Sequence, residues 1–200
     1  RGEGSAHYVV GVMTAAVVPG AAWVWALDVM RAGHAVVVGG AVAEPVQVAV
    51  CVRGRLHEQR FAAVMPVATV QLRVTPEALR GVISPRDLPA LRALDLLRPV
   101  LAQEAWGVTG SAGFELASGI EALHEQSDLD LILRTPERLA RGDAEDLLAI
   151  LDTAPCAVDL QLQTPFGAVA LREWAGSSRR VLLKAASGAH LVIDPWQALI

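Results

Sequence analysis

The sequence predicts an α+β fold: a small N-terminal unit over residues 1–84, then a mixed-sheet unit with flanking helices over residues 90–200. Three observations predict it. Short valine-rich runs bounded by turn residues fill the chain before Ser84. Strand-like and helix-like periods alternate after Leu101. Between them, Ser84-Pro85-Arg86-Asp87-Leu88-Pro89 has the composition of a linker.

The N-terminal elements follow in order. Tyr8–Val18 reads as an apolar strand, Pro19-Gly20 as a turn, and Ala21–Arg31 as a helix closed by Gly33. Val36–Val38, Val46–Val52, Phe61–Val64 and Thr69–Val74 read as further strands. Thr75-Pro76-Glu77 is a helix start, with threonine as cap and proline in the first turn. Leu91, Leu94, Leu97 and Leu101 then space as one helix stripe, which Pro99 is expected to bend or split.

The second unit reads as strand Trp106–Thr109, helix Ser111–Ala117, strand Leu129–Leu133, helix Ala144–Leu151 and strand Ala157–Gln163. A tail helix over Ala168–Trp174 and strands Val181–Lys184 and Leu191–Ile193 complete the expectation.

Composition narrows the function. The 200 residues are 53% hydrophobic, enough to bury one large or two small cores. A net charge of −4 argues against nucleic-acid binding, which needs a basic surface to neutralise phosphates. Tyr8–Leu27 carries no charge, but Pro19-Gly20 interrupts it, so no membrane span is expected. Cys51 and Cys156 fit no metal or disulfide spacing and read as buried thiols of a cytoplasmic protein. The five histidines show no metal-ligand spacing.

The chemistry concentrates in Ser127-Asp-Leu-Asp-Leu-Ile-Leu133. A strand points alternate side chains to one face, so Asp128 and Asp130 share a face opposite the leucines. Two carboxylates so placed are costly unless a positive charge lies between them, and the usual one is a divalent metal carrying a phosphate. Val158-Asp-Leu-Gln-Leu-Gln163 also alternates, which places Asp159 on the polar face of a strand able to pair beside the first. Gly110-Ser111 ends a short strand and opens a helix, where backbone N–H groups and the helix dipole suit a phosphate. Thr109-Gly-Ser-Ala-Gly113 is not a nucleophile elbow, because threonine stands two before the serine. Arg53, Arg55 and Arg60 form a basic cluster suited to a polyphosphate, and Lys184 ends an apolar strand in the second unit. Glu115, four residues after Ser111, reads equally as a substrate-steering group or a helix-surface carboxylate.

A Gly-Ser turn, then Asp-x-Asp, then a later strand aspartate resembles the nucleotidyltransferase superfamily. The stretches Trp106–Gly119, Ser127–Leu131, Val158–Ala168, Leu171-Arg-Glu-Trp174, Val181–Lys184 and Asp194-Pro-Trp196 resemble more closely one family within it. That is the malonate decarboxylase holo-acyl-carrier-protein synthase family, the phosphoribosyl-dephospho-CoA transferases. The resemblance covers roughly residues 45–200, including Cys51–Arg55 and Gln59-Arg60-Phe61-Ala62. It departs at Ala6-His7-Tyr8-Val9, where the family has Arg-Pro-His, and at Val108, where it has proline.

The resemblance implies a nucleotidyltransferase-like second domain and an enzyme that moves 2′-(5″-phosphoribosyl)-3′-dephospho-CoA from its triphosphate precursor to a serine of the malonate decarboxylase acyl carrier protein. Pyrophosphate leaves. Asp128, Asp130 and Asp159 are then the catalytic and metal-holding residues for Mg²⁺ (or Mn²⁺), and Gly110, Ser111, Arg53, Arg60 and Lys184 the substrate-binding ones. The expected partners are the carrier protein and triphosphoribosyl-dephospho-CoA, with no nucleic acid and no membrane. The alternatives are another small nucleotidyltransferase acting on a small molecule or protein, and a non-catalytic nucleotidyltransferase-like binding module.

Overall fold

A computed structural model describes residues 7–11, 36–38, 47–53, 60–66 and 70–198. The expected helix Ala21–Arg31 and most of the expected strand Tyr8–Val18 lie outside the described residues. The five N-terminal strands form one antiparallel sheet. They are β1 (His7–Gly11), β2 (Val36–Val38), β3 (Gln47–Arg53), β4 (Arg60–Pro66) and β5 (Val70–Val74), in the order β4-β3-β2-β1-β5. Thr75 then caps a short 3-10 helix, Pro76–Leu79, its side chain accepting from the Ala78 N–H at 3.3 Å.

The second sheet has six strands in the order β11-β10-β9-β8-β7-β6. These are β6 (Trp106–Val108), β7 (Leu129–Arg134), β8 (Val158–Thr164), β9 (Gly167–Ala170), β10 (Val181–Ala185) and β11 (Gly188–Val192). Only β7 and β8 pair in parallel; all other neighbours are antiparallel. Four helices accompany it: α1 (Pro89–Val100), α2 (Gly110–Ser118), α3 (Arg141–Leu151) and α4 (Leu171–Ala175). The fold is thus the expected α+β mixed sheet with flanking helices.

Period-two patterning decides the sheet's orientation. Leu129, Leu131, Leu133, Val158, Leu160 and Leu162 all point into the core. The leucine stripe of α1 packs there too, with Leu91, Leu94, Leu97 and Leu101 all buried. Pro99 does not split this helix. It falls in the last turn, where few intrahelical N–H bonds remain to lose, and the helix runs to Val100.

The tail differs from expectation. Gly167–Ala170 is a strand, and the helix is only Leu171–Ala175. A tight hairpin turn at Pro165-Phe166 returns the chain onto β8. The Thr164 hydroxyl accepts the Phe166 N–H at 3.1 Å, and Gly167 takes φ +155° where a Cβ would lie 2.6 Å from the Lys184 carbonyl oxygen. Beyond it, Trp174 is fully buried and meets Trp196 edge-on at 5.1 Å. The Arg141 guanidinium lies 4.2 Å over the Trp174 ring and donates to the Trp174 and Gly176 carbonyls.

Two contacts tie the chain before Ser84 to the second sheet. Glu77 accepts from the Arg134 guanidinium at 2.8 Å. Burial raises the Glu77 carboxyl, but hydrogen bonds, Arg134's above all, outweigh it and hold the group below the ordinary range. A Cβ on Gly107 would lie 2.4 Å from the Pro76 carbonyl carbon, so the 3-10 helix sits directly on β6. Gly107→Ala should therefore destabilise the protein by about 1–3 kcal/mol, the usual cost of overpacking. Urea unfolding checks this; a midpoint matching wild type would show that the 3-10 helix moves freely off β6.

Candidate active site

Three carboxylates meet where β7 and β8 begin. The parallel register sets Asp130 directly opposite Asp159, and Asp128 precedes β7 by one residue. One oxygen from each of Asp128, Asp130 and Asp159 lies within 4.8 Å of the others. Asp128 and Asp159 are exposed and Asp130 is half-buried, so the cluster opens to solvent. Like charges placed opposite on neighbouring strands repel.

The donor set fits a divalent cation. Carboxylate oxygens are hard ligands, and cations of this kind take oxygens at about 2.0–2.6 Å, so two ligands of one ion stand up to roughly 4–5 Å apart. The convergence expected from the period-two pattern is therefore what the strands produce.

The turn from β6 into α2 comes to the same place. The Thr109 N–H donates to the Asp130 carbonyl at 2.9 Å. Gly110 follows with φ +60°, and a Cβ there would lie 1.8 Å from an Asp130 carboxylate oxygen. Both the left-handed backbone and the missing side chain are needed for that approach. Ser111 continues into the first turn of α2, and Thr109, the cap residue, makes no side-chain capping bond. The N-terminus of this helix thus faces the carboxylate cluster, as a phosphate site requires.

Glu115 is neither a substrate-steering group nor a surface carboxylate. It is 6% exposed. Arg86 reaches both its oxygens from one nitrogen, at 2.7 and 2.8 Å, and donates at 3.2 Å to the Leu123 carbonyl. The second Glu115 oxygen also accepts the N–H groups of Ala122 and Leu123, at 2.7 and 2.8 Å. Glu115 therefore pins the long segment between α2 and β7 to the helix. The Ser127 hydroxyl continues this order to within one residue of Asp128, accepting the His124 N–H at 3.0 Å.

The basic residues are placed unevenly. Arg53 and Arg60 are register partners in the β3–β4 ladder, and Arg55 lies outside the described residues. Lys184 is exposed and belongs to the row Arg134–Gln163–Ala168–Lys184. That row runs four residues beyond Asp159 along β8, about 13 Å at strand spacing. The register does not bring Lys184 to the carboxylates.

Arg172 is a cation that the sequence reading passed over, although it stands inside Leu171-Arg-Glu-Trp174. It is the second residue of α4, just after β9 ends beside Gln161, and its guanidinium lies 2.6 Å from Asp152. Hydrogen bonding to Asp152 chiefly, with the charges of Asp152 and Asp159, raises its pKa above the ordinary value. Cys156 is a free thiol near Asp128. Burial, then the Asp128 charge, pushes it up, so it stays protonated and unreactive.

Comparison with known proteins identifies the family. Residues 78–195 match the family model described as "Phosphoribosyl-dephospho-CoA transferase MdcG C-terminal domain". The chain is 58% identical over 193 residues to the phosphoribosyl-dephospho-CoA transferase of Pseudomonas fluorescens strain Pf0-1, covering 96% of this chain and 94% of that protein. It is 52% identical to the protein of that name from Pseudomonas aeruginosa PAO1, covering 92% and 90%. For the Azotobacter vinelandii DJ protein of that name, identity is 53%, covering 88% and 87%. No solved structure matches. A family match over more than half the chain, and relatives more than half identical across most of it, establish that the chain belongs to the phosphoribosyl-dephospho-CoA transferase family.

Proposed function

We propose that this transferase moves 2′-(5″-phosphoribosyl)-3′-dephospho-CoA from its triphosphate precursor to a serine hydroxyl of the malonate decarboxylase acyl carrier protein. The observation that carries the reading is the convergence of Asp128, Asp130 and Asp159 beside the Gly110-Ser111 turn. The family model's name supports the link to malonate decarboxylase. The serine oxygen attacks the phosphorus next to the ribose, the bond from that phosphorus to the pyrophosphate oxygen breaks, and the hydroxyl proton leaves. A phosphodiester and pyrophosphate result.

Such a transfer needs in-line geometry and neutralisation of charge on the phosphates. Asp128, Asp130 and Asp159 would hold Mg²⁺ or Mn²⁺, which when bound offsets that charge and makes the attacking hydroxyl more acidic. Asp159, exposed at the strand start, would also accept the hydroxyl proton. The Gly110-Ser111 end of α2 grips the terminal phosphates through backbone N–H groups and the helix dipole. Arg172 adds positive charge from the β9 side. Arg53, Arg60 and Lys184 remain candidates for binding the rest of the substrate, with the N-terminal sheet, taken as a domain over residues 1–84, forming the other side of a cleft. The free Cys156 and the absence of disulfide spacing support a cytoplasmic setting. No helix among the described residues is long and apolar enough to cross a membrane.

The first test is Asp130→Asn. It keeps the side-chain shape and removes one ligand charge. Pyrophosphate release with carrier protein, Mg²⁺ and the triphosphoribosyl substrate should fall by roughly a hundredfold or more, as loss of several kcal/mol of charge stabilisation requires. Intact-mass analysis should show an unmodified carrier, while circular dichroism stays that of wild type. Full turnover by a folded variant would remove the carboxylates from the chemistry.

Gly110→Ala attacks the same site from the backbone. It should lose about 1–2 kcal/mol of stability from the left-handed φ, and most activity because Asp130 must turn away. Normal activity with normal stability would mean that Asp130 has another working position.

Arg60→Ala tests the cleft. If Arg60 meets the substrate phosphates, its KM should rise about ten- to hundredfold, matching the roughly 1.5–3 kcal/mol of a charge-assisted contact. A KM within about twofold of wild type would leave the N-terminal sheet a structural or carrier-docking role.

A further inference from the structure

The alternation that puts Asp159 on the open face of β8 puts Gln161 there as well, two residues on and about 7 Å along the strand. Its cross-strand neighbours are Ile132 on β7, which is buried, and Ala170 on β9. Both are apolar. Between them the Gln161 side-chain oxygen is shielded from solvent and accepts no hydrogen bond. Among the described residues it is the one buried side-chain polar atom left without a partner. Folding does not normally leave an acceptor in that state, because it gives up its bond to water and gains nothing in return. Nothing in the apolar packing on either side calls for an amide. Leucine or methionine would fill the space without that cost.

We propose that Gln161 recognises substrate: its Oε1 accepts a hydrogen bond from a sugar hydroxyl of the nucleotide-like donor when the donor's phosphates lie at the carboxylate cluster. The chemistry calls for a donor. A phosphate oxygen at neutral pH offers acceptors and no proton, whereas a ribose hydroxyl donates. The position is compatible with it, because Gln161 stands two residues from Asp159 on the same strand face, about 7 Å along β8, which is the reach of one sugar from a phosphate held at the carboxylates. The Gln161 side chain is partly exposed, so on binding it turns this shielded oxygen toward the sugar and the substrate hydroxyl completes it. A site whose buried acceptor is left unpaired by an analogue lacking the hydroxyl discriminates strongly against that analogue. The assignment rests on the functional reading above and adds a specificity residue to it.

The test is Gln161→Met, which keeps length and removes the carbonyl. Wild-type protein, assayed for pyrophosphate release from triphosphoribosyl-dephospho-CoA with carrier protein and Mg²⁺, is the control for the functional reading. If wild type releases none, that reading fails on its own account. With wild type active, the variant's KM for this substrate should rise about tenfold, while its unfolding temperature without substrate stays equal to wild type or rises. A structural glutamine would behave oppositely, with a lowered unfolding temperature. A KM within about twofold of wild type, or a variant that melts lower, overturns the assignment.

Discussion

The structure turns on one arrangement that folding alone disfavours: two aspartates held directly opposite each other in a parallel strand pair, with a third beside them. Their mutual repulsion is tolerable only because the cluster sits at the first residues of β7 and β8, where the sheet is open to water. Farther into the strands the same row positions are occupied by Ile132 and Gln161 and then by Arg134 and Gln163. The acidic end thus gives way to positions without negative charge, and the energy of the buried leucine face on the other side holds the strands in register.

Two elements of α2 bear on the cluster's charge. Glu115, the carboxylate that follows on α2, is turned away and neutralised by Arg86 and two backbone N–H groups. Removing one partner from a buried pair of this kind is costly, because the other charge is left stranded. Gly110 brings a helix N-terminus against Asp130, so the nearest dipole is positive. Arg172 brings a positive charge that Asp159 feels, although Asp152 already shares it.

Much of this was legible in the sequence because it depends on local period. Asp-Leu-Asp-Leu and Val-Asp-Leu-Gln-Leu-Gln can alternate in only one way, and the leucine spacing of α1 admits only a helix. The parts that were not legible depend on where the chain goes next. Gly167–Ala170 is too short and too alanine-rich to announce a strand, and only the turn held by Thr164 makes it one. Glu115 looks like any helix carboxylate until the segment after α2 folds back over it. Lys184 lies in the same sheet as the carboxylates, yet register places it toward the opposite end of the strands. Arg172 was missed for the converse reason: a hairpin and a short helix bring it near Asp159 from a position with no local signal.

The crossover between β7 and β8 sets the order in which the enzyme can come into being. The two strands that carry Asp130 and Asp159 are joined through residues 135–157, including the whole of α3. Hairpins such as β10–β11 can close locally, but this pair must wait for a long loop to be ordered. The acidic cluster therefore exists only once β7 and β8 have paired across that crossover. The same pairing closes the leucine face of β7 and β8, so the acidic cluster and the core beneath it form in one event, and the cluster's presence reports that the sheet has joined.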